Sequence, residues 1–262
     1  MTIILGTMLL LTFICSIIYF ISDRRSKDVE FDMMDIDYVE FDKIVDNNGR
    51  YSYEDSKYTS SFGIDVSEFT ENIDWKKVKN DGVEFAYMRI GRRGATTGLL
   101  YMDDEFEINY KGATENNLKI GVYFFSQAVD EKEAREEARF VVNNLKNKTI
   151  HLPVVYDLEE VNIPNETVRI EKLTKEQFTK NALAFCDELE KYGYQPMIYT
   201  YPYWAEFLYD MDQLVRYPIW LAVYDAEVPK HDYPITIWQY TKEGRVDGVD
   251  YDVDFNIMFI KK

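Results

Sequence analysis

Two acidic residues separated by one leucine, Asp157 and Glu159, follow an apolar run at residues 152–155. On a β-strand, residues two apart point to the same face, so both carboxylates are expected to face one pocket. Neighbouring carboxylates repel, which raises the pKa of one and leaves a protonated acid beside an ionised partner. Glycosidic cleavage needs such a pair, because one acid protonates the leaving oxygen and the other stabilises positive charge. A divalent metal site is the main alternative, since hard cations also prefer carboxylate ligands.

Alternating strand and helix patterns position these acids. Helical stretches follow the first five apolar runs, and Asp74 and Thr174 are the predicted N-caps of two of the helices. The last three runs leave no room for full helices between them. Apolar runs typical of strands lie at 62–67, 84–91, 119–126, 152–159, 195–201, 218–224, 236–241 and 253–260. This order predicts an α/β fold, an irregular TIM-like (β/α)5β3 barrel.

The carboxyl ends of the strands carry the chemistry in such barrels. Asp65 lies near the end of the first predicted strand, so it is expected to share a rim with Asp157 and Glu159. Asp254 begins the last strand. Three more aspartates precede it closely, at Asp247, Asp250 and Asp252. Which of the four aspartates joins the site therefore stays open.

Composition excludes several functional classes. The chain has 262 residues and a formal net charge of −17, and nucleic-acid binding requires the opposite sign. Two histidines and two cysteines are too few for a Cys/His zinc site or a disulfide framework. These counts argue against a nucleic-acid partner and a Cys/His metal site. We further predict an enzyme without cofactor or metal and a monomeric state.

Residues 1–22 carry no charged side chain and are long enough to cross a bilayer as a helix. We interpret them as an uncleaved transmembrane anchor. This predicts a bacterial membrane protein whose catalytic domain faces the cell wall, or a secreted protein if the segment is cleaved. The basic flank at Arg24, Arg25 and Lys27 conflicts with export under the positive-inside rule, so the orientation stays open.

An acidic connector is predicted at residues 23–60, ahead of a barrel domain at 61–262. From residue 28 to 60 it holds ten carboxylates against three basic residues, and like charges repel and extend a chain. Its apolar side chains could still dock on the barrel.

Short motifs in order along residues 61–262 resemble glycoside hydrolase family 25, the Chalaropsis-type lysozymes. The matching segments are GIDVS (63–67), IDW (73–75), YMRIG (87–91), GVYFFS (121–126), VVYDLE (154–159), YGYQPMIYTY (192–201), PIWLAVY (218–224), IWQYT (237–241) and VDFN (253–256). Each is weak alone, but together they are specific.

The resemblance implies an N-acetylmuramidase that cleaves the β-1,4 bond between N-acetylmuramic acid and N-acetylglucosamine in peptidoglycan. It implies that Glu159 is the general acid and that Asp157 orients or stabilises, by assisting the substrate's own acetamido group. Asp65 would line the groove, and Asp254 best matches the family's further aspartate. Side chains implied to shape the sugar groove are Tyr123, Tyr199, Tyr201, Trp220, Tyr224 and Gln239.

Two other functions remain open on the sequence. A chitinase-like glycosidase of family 18 would carry further aspartates before Asp157, where this chain has apolar residues. A non-catalytic peptidoglycan-binding barrel would keep the groove without cleaving the glycan, and the intact acid pair argues against it.

Overall fold

A computed structural model describes residues 39–224 and 228–262 of the chain. Its strands are β1 (Val45–Asn47), β2 (Arg50–Ser52), β3 (Tyr58–Val66), β4 (Phe85–Arg93), β5 (Leu100–Met102), β6 (Lys119–Ser126), β7 (Val154–Leu158), β8 (Pro196–Thr200), β9 (Ile219–Ala222), β10 (Ile237–Gly244) and β11 (Val253–Lys261). Its helices are α1 (Trp75–Asn80), α2 (Phe106–Glu115), α3 (Glu131–Asn144), α4 (Lys175–Lys191) and α5 (Met211–Leu214), with a 3-10 helix at Phe41–Lys43 and a π-helix at Trp204–Leu208.

Eight of these strands close into a barrel in the order β3-β11-β10-β9-β8-β7-β6-β4, and β4 pairs again with β3. Neighbouring strands are parallel except at β11, which runs antiparallel to both β10 and β3. Helices follow the first five barrel strands only. The predicted barrel of eight strands and five helical connections is therefore confirmed, and β5 is an additional edge strand paired with β4.

Local sequence signals begin the helices where they were predicted. The Asp74 carboxylate accepts a hydrogen bond from the Lys77 backbone N–H at the start of α1. The Thr174 hydroxyl accepts one from the Gln177 N–H at the start of α4. Each cap satisfies a donor that the first helical turn would otherwise leave without a partner.

Large aromatic rings fill the inside of the barrel, and glycines make room for them. A Cβ atom on Gly63 would overlap the ring of Phe85, and one on Gly121 would overlap the ring of Tyr87. Outward-facing side chains pack against the helices, as Tyr156 does against Phe185 of α4, with ring centroids 5.1 Å apart. This packing fills the barrel near the amino ends of its parallel strands and leaves their carboxyl ends for a pocket.

Residues 39–57 pack on the outside of β10 and β11, where no helix covers the barrel. Phe41 meets Trp238 edge-on at 5.6 Å, and Tyr51 stacks on Tyr240 at 4.2 Å. The first barrel strand, β3, begins at Tyr58, three residues before the predicted domain boundary at 61, and the described part of the connector is folded. Burial of its aromatic rings outweighs the repulsion between its surface carboxylates.

The predicted transmembrane segment at 1–22 and the first part of the connector, residues 23–38, lie outside the described residues. Within the described ranges, no helix is both long and apolar enough to span a bilayer.

Candidate active site

Four carboxylates from three parts of the barrel meet in one pocket of about 280 Å³. Asp65 is the second-last residue of β3, Asp157 lies in β7, and Glu159 directly follows β7. Because β11 is antiparallel, Asp254 at its beginning reaches the same end of the barrel. The full lining is Asp65, Ser67, Phe69, Arg89, Tyr123, Phe125, Asp157, Glu159, Tyr199, Trp220, Tyr224, Gln239 and Asp254.

The Asp157–Leu158–Glu159 segment has the alternation expected of a strand end. Leu158 is buried in the hydrophobic core outside the barrel, and the acids on either side of it line the pocket. Of the four aspartates near the last strand, Asp254 lines the pocket, and Asp247, Asp250 and Asp252 are absent from its lining.

A larger, more open cleft of about 750 Å³ lies outside the barrel, between the β1–β2 hairpin and β10. Its lining contains a single carboxylate, Glu243. Acid chemistry therefore belongs to the smaller pocket.

Asp65 is held by two amide side chains from neighbouring strands. Its Oδ2 atom accepts hydrogen bonds from Gln239 Nε2 at 2.8 Å and from Asn256 Nδ2 at 2.7 Å. Burial outweighs these bonds and raises the pKa of Asp65 to about 6. Asn256 was not among the predicted site residues, although it lies in the VDFN segment.

Asp157 is the most deeply enclosed of the four pocket acids, with 5% of its surface exposed. Its Oδ1 atom has no hydrogen-bond partner in the described part of the chain. Burial, followed by the negative charges of Glu159 and Asp65, raises the pKa of Asp157 well above its usual value. The atom is buried, and its capacity to accept a hydrogen bond is unused by the described residues.

Glu159 and Asp254 are also shifted toward the protonated form. Burial and the nearby charge of Asp65 raise the pKa of Glu159 to about 7. The same two causes, together with the charge of Glu159, raise the pKa of Asp254 to about 8. The sequence suggested one raised pKa in an acid pair, whereas all four carboxyl groups have raised pKa values.

The backbone of Glu159 is tied to the loop that follows β6. Gln127 Nε2 donates to the Glu159 carbonyl oxygen at 3.0 Å, and Arg169 donates to the Gln127 carbonyl oxygen at 3.3 Å. These contacts position Glu159 although it lies beyond the end of its strand.

Arg89 is the only basic side chain among the described residues that line the pocket. Its Nε atom donates to Asp103 at 2.7 Å, and its Nη2 atom lies 2.7 Å from Glu68. Its positive charge lowers the pKa of Asp157, but burial and the charges of Glu159 and Asp65 raise that pKa by more. Sequence reasoning missed this residue because an arginine inside the apolar YMRIG run carries no spacing signal of its own.

Five of the six predicted groove residues line the pocket. Tyr199 and Tyr224 both donate through their hydroxyls to Gln239 Oε1, at 3.0 and 2.6 Å. The Trp220 indole N–H donates to Asn256 at 2.9 Å. Tyr123 also lines the pocket, whereas Tyr201 lies outside its lining and contacts Trp204 edge-on at 6.0 Å.

Three further lining residues were not predicted: Ser67, Phe69 and Phe125. No group of three or more His, Cys, Asp or Glu side chains within residues 39–224 and 228–262 is arranged to hold a metal ion.

The chain is similar in sequence to several known proteins. The chain is 31% identical over 205 residues to the uncharacterized protein YegX of Escherichia coli K12, covering 74% of this chain and 68% of YegX. It is 29% identical over 196 residues to the autolytic lysozyme of Clostridium acetobutylicum, covering 74% of this chain and 54% of the lysozyme. The chain thus spans about half the length of that relative.

A solved structure, the bacterial lysozyme of Streptomyces coelicolor, superimposes with a TM-score of 0.60 at 28% identity. The match covers 75% of this chain and 90% of that lysozyme. Residues 64–249 match the sequence profile described as glycosyl hydrolases family 25, and they include Asp65, Asp157 and Glu159. The chain therefore belongs to the glycosyl hydrolases of family 25.

Proposed function

We propose that the protein is a lysozyme-type glycoside hydrolase that cleaves peptidoglycan at the β-1,4 bond between N-acetylmuramic acid and N-acetylglucosamine. The observation that carries the proposal is the pocket that joins Asp65, Asp157, Glu159 and Asp254. The family and the lysozyme relatives support the same substrate class.

In the proposed reaction, Glu159 is the general acid. With a pKa of about 7 it keeps its proton at a pH where an ordinary glutamate has lost it. It gives this proton to the glycosidic oxygen as the bond to the anomeric carbon breaks. The carboxylate left behind then takes a proton from the water that completes hydrolysis.

Asp157 has a different proposed role, based on its free Oδ1 atom. The acetamido N–H of the sugar would donate to the Asp157 carboxylate, which lines the pocket, and stabilise its ionised form. The oriented acetamido oxygen would attack the anomeric carbon, forming a cyclic intermediate that water opens. In this mechanism the negative charges of Asp157 and Asp65 stabilise the positive charge that develops on the sugar.

The aromatic residues of the pocket are proposed to hold the sugar rings. Trp220 lies between Tyr199 and Tyr123, with perpendicular rings at 5.3 and 6.4 Å. The hydroxyls of Tyr199 and Tyr224 are fixed on Gln239, so these rings form a rigid wall. A rigid wall loses little entropy when a sugar binds against it.

Product analysis tests the proposal. The full-length chain is incubated with purified peptidoglycan, the products are reduced with borohydride, and mass spectrometry identifies the reduced sugar. We expect reduced muramic acid, with none from a Glu159→Gln control. Reduced glucosamine ends, cleavage of chitin alone, or binding to walls without cleavage would overturn the proposal, and the last two results would favour the chitinase-like and non-catalytic alternatives.

We further propose that residues 1–22 hold the enzyme in the bacterial membrane with the barrel facing the wall. The support is the uncharged apolar sequence of this segment. Cell fractionation followed by protease treatment of intact spheroplasts tests both the anchoring and the side of the membrane. A barrel protected from the protease would contradict this orientation.

A further inference from the structure

Two exposed aromatic side chains project from the π-helix region that follows β8. Tyr203 and Phe207 are 56% and 54% exposed, and their ring centroids lie 5.2 Å apart. On the other side of the same helix, Trp204 and Ala205 are buried. We call Tyr203 and Phe207 the aromatic platform.

The platform rests on a rigid support. Trp204 packs against Phe178 of α4 at 5.1 Å and against Tyr209 at 5.8 Å. The Lys175 ammonium donates to the Glu206 carbonyl oxygen at 3.0 Å, which ties the π-helix to the beginning of α4. The two exposed rings are therefore held in place before any ligand arrives, as a binding surface requires.

In sequence, the platform comes shortly after β8, a strand that lines the pocket. Tyr199 on β8 lines the pocket, and Tyr201 comes next, with its ring against Trp204. Burial, and after it the charge of Glu159, raise the pKa of Tyr201 to about 12. Along the chain, Tyr201 stands between the pocket residue Tyr199 and the platform residue Tyr203.

A second exposed ring lies at the opposite rim. Phe69, which follows β3, is 77% exposed and lines the pocket. In the closed barrel β3 and β8 are four strands apart in either direction, so the segments that carry Phe69 and the platform leave the barrel from opposite sides. A linear polymer that contacts both must cross the carboxylates between them.

We propose that the aromatic platform is a distal glycan subsite, which stacks a sugar of the same strand several units away from the cleaved bond. The inference rests on the proposed function and deepens it, because it assigns a preference for long strands over short oligosaccharides. Sugar rings carry apolar C–H faces that pack on aromatic rings, and the exposed platform offers two such rings at fixed spacing.

The test compares full-length wild type with the double variant Tyr203→Ala/Phe207→Ala on long glycan strands and on a peptidoglycan tetrasaccharide. We expect kcat/KM on long strands to fall roughly tenfold, through KM, with the tetrasaccharide rate changed by less than about twofold. Tyr192→Ala is the matched control. Tyr192 is 52% exposed but caps the far end of α4, away from the pocket mouth.

Equal losses on both substrates, no loss on long strands, or an equal loss in Tyr192→Ala would overturn the distal subsite. Binding of lipid vesicles that disappears in the double variant, with unchanged kinetics on long strands, would assign the rings to a membrane instead. If wild type cleaves neither substrate, the proposed function fails by itself. The subsite is then tested by the affinity for long strands, which the double substitution must weaken roughly tenfold.

Discussion

Asp254 and Asp65 are directly paired across the antiparallel ladder that joins β11 to β3. Side chains of such pairs are close neighbours, and like charges in this position destabilise a sheet. Both acids are mostly buried, and burial is the largest cause of the raised pKa of each. The sheet is therefore destabilised at this position when both acids are ionised.

The first prediction concerns stability and Asp254. Its pKa is about 8 in the folded protein, above its ordinary value of 3.8, so the folded state binds the proton more tightly. The stability that protonated Asp254 contributes is complete below about pH 4, and it is lost as the pH rises through about 8. Asp254→Asn removes the loss, so its Tm should exceed that of wild type at pH 9 and approach it at pH 4. The exposed Asp104 provides the control Asp104→Asn, and a lower Tm of Asp254→Asn at pH 9 would contradict the prediction.

The second prediction concerns the pH dependence of activity. Glu159 must be protonated to act as an acid, and its pKa is raised to about 7. The rate constant kcat/KM should therefore decline as the pH rises above about 7. A profile measured with soluble peptidoglycan fragments checks this, and a rate already lost between pH 4 and 5 would show an unshifted glutamate.

The third prediction concerns Asn256, which donates to Asp65 and accepts from Trp220. Asn256→Ala leaves Asp65 with one amide donor and raises its pKa further. We expect a free energy of unfolding lower by about 1–3 kcal/mol and a kcat lower by roughly tenfold. Denaturant unfolding and steady-state kinetics measure the two effects.

Asn144→Ala is the matched control for this change, since Asn144 makes one comparable hydrogen bond to Phe140 on α3. An Asn256→Ala variant with lower stability but unchanged kcat would restrict Asn256 to a structural role.

The fourth prediction concerns the segment that covers β10 and β11. A chain that begins at residue 58 keeps all of β3 but lacks Phe41, Tyr51 and Tyr53, and it exposes the outer rings of Trp238, Tyr240 and Phe259. It should have a lower Tm than a chain that begins at residue 39, and should aggregate more readily. In the longer chain, Phe41→Ala alone should lower the free energy of unfolding by about 2 kcal/mol. This is less than the same substitution costs at a fully buried phenylalanine. Equal melting of the two chains would mean that the segment does not stabilise the barrel.

The strands were predictable because their apolar alternation is local. The run at 119–126 matches β6 residue for residue, and the caps at Asp74 and Thr174 form as predicted. The direction of β11 was not predictable, because strand direction depends on how the barrel closes. For this reason the sequence did not decide which of four aspartates joins the site. The antiparallel pairing places Asp254 in the pocket.

Two parts of the site needed the three-dimensional structure. Arg89 lies in an apolar strand, and its partners Asp103 and Glu68 come from loops that no spacing rule connects. The acidic connector was predicted from its charge. The position of residues 39–57 instead depends on aromatic contacts with strands almost two hundred residues away, such as the stacking of Tyr51 on Tyr240 at 4.2 Å.

The proton donated by Glu159 can be tested most directly with two substrates that differ in leaving group. Peptidoglycan needs protonation of its leaving oxygen, whereas a nitrophenyl glycoside of N-acetylmuramic acid releases a stable anion without it. We predict that Glu159→Gln loses at least roughly a hundredfold in rate on peptidoglycan and less than roughly tenfold on the nitrophenyl glycoside. Equal losses on the two substrates, or full activity on peptidoglycan, would contradict the assignment of Glu159 as the general acid.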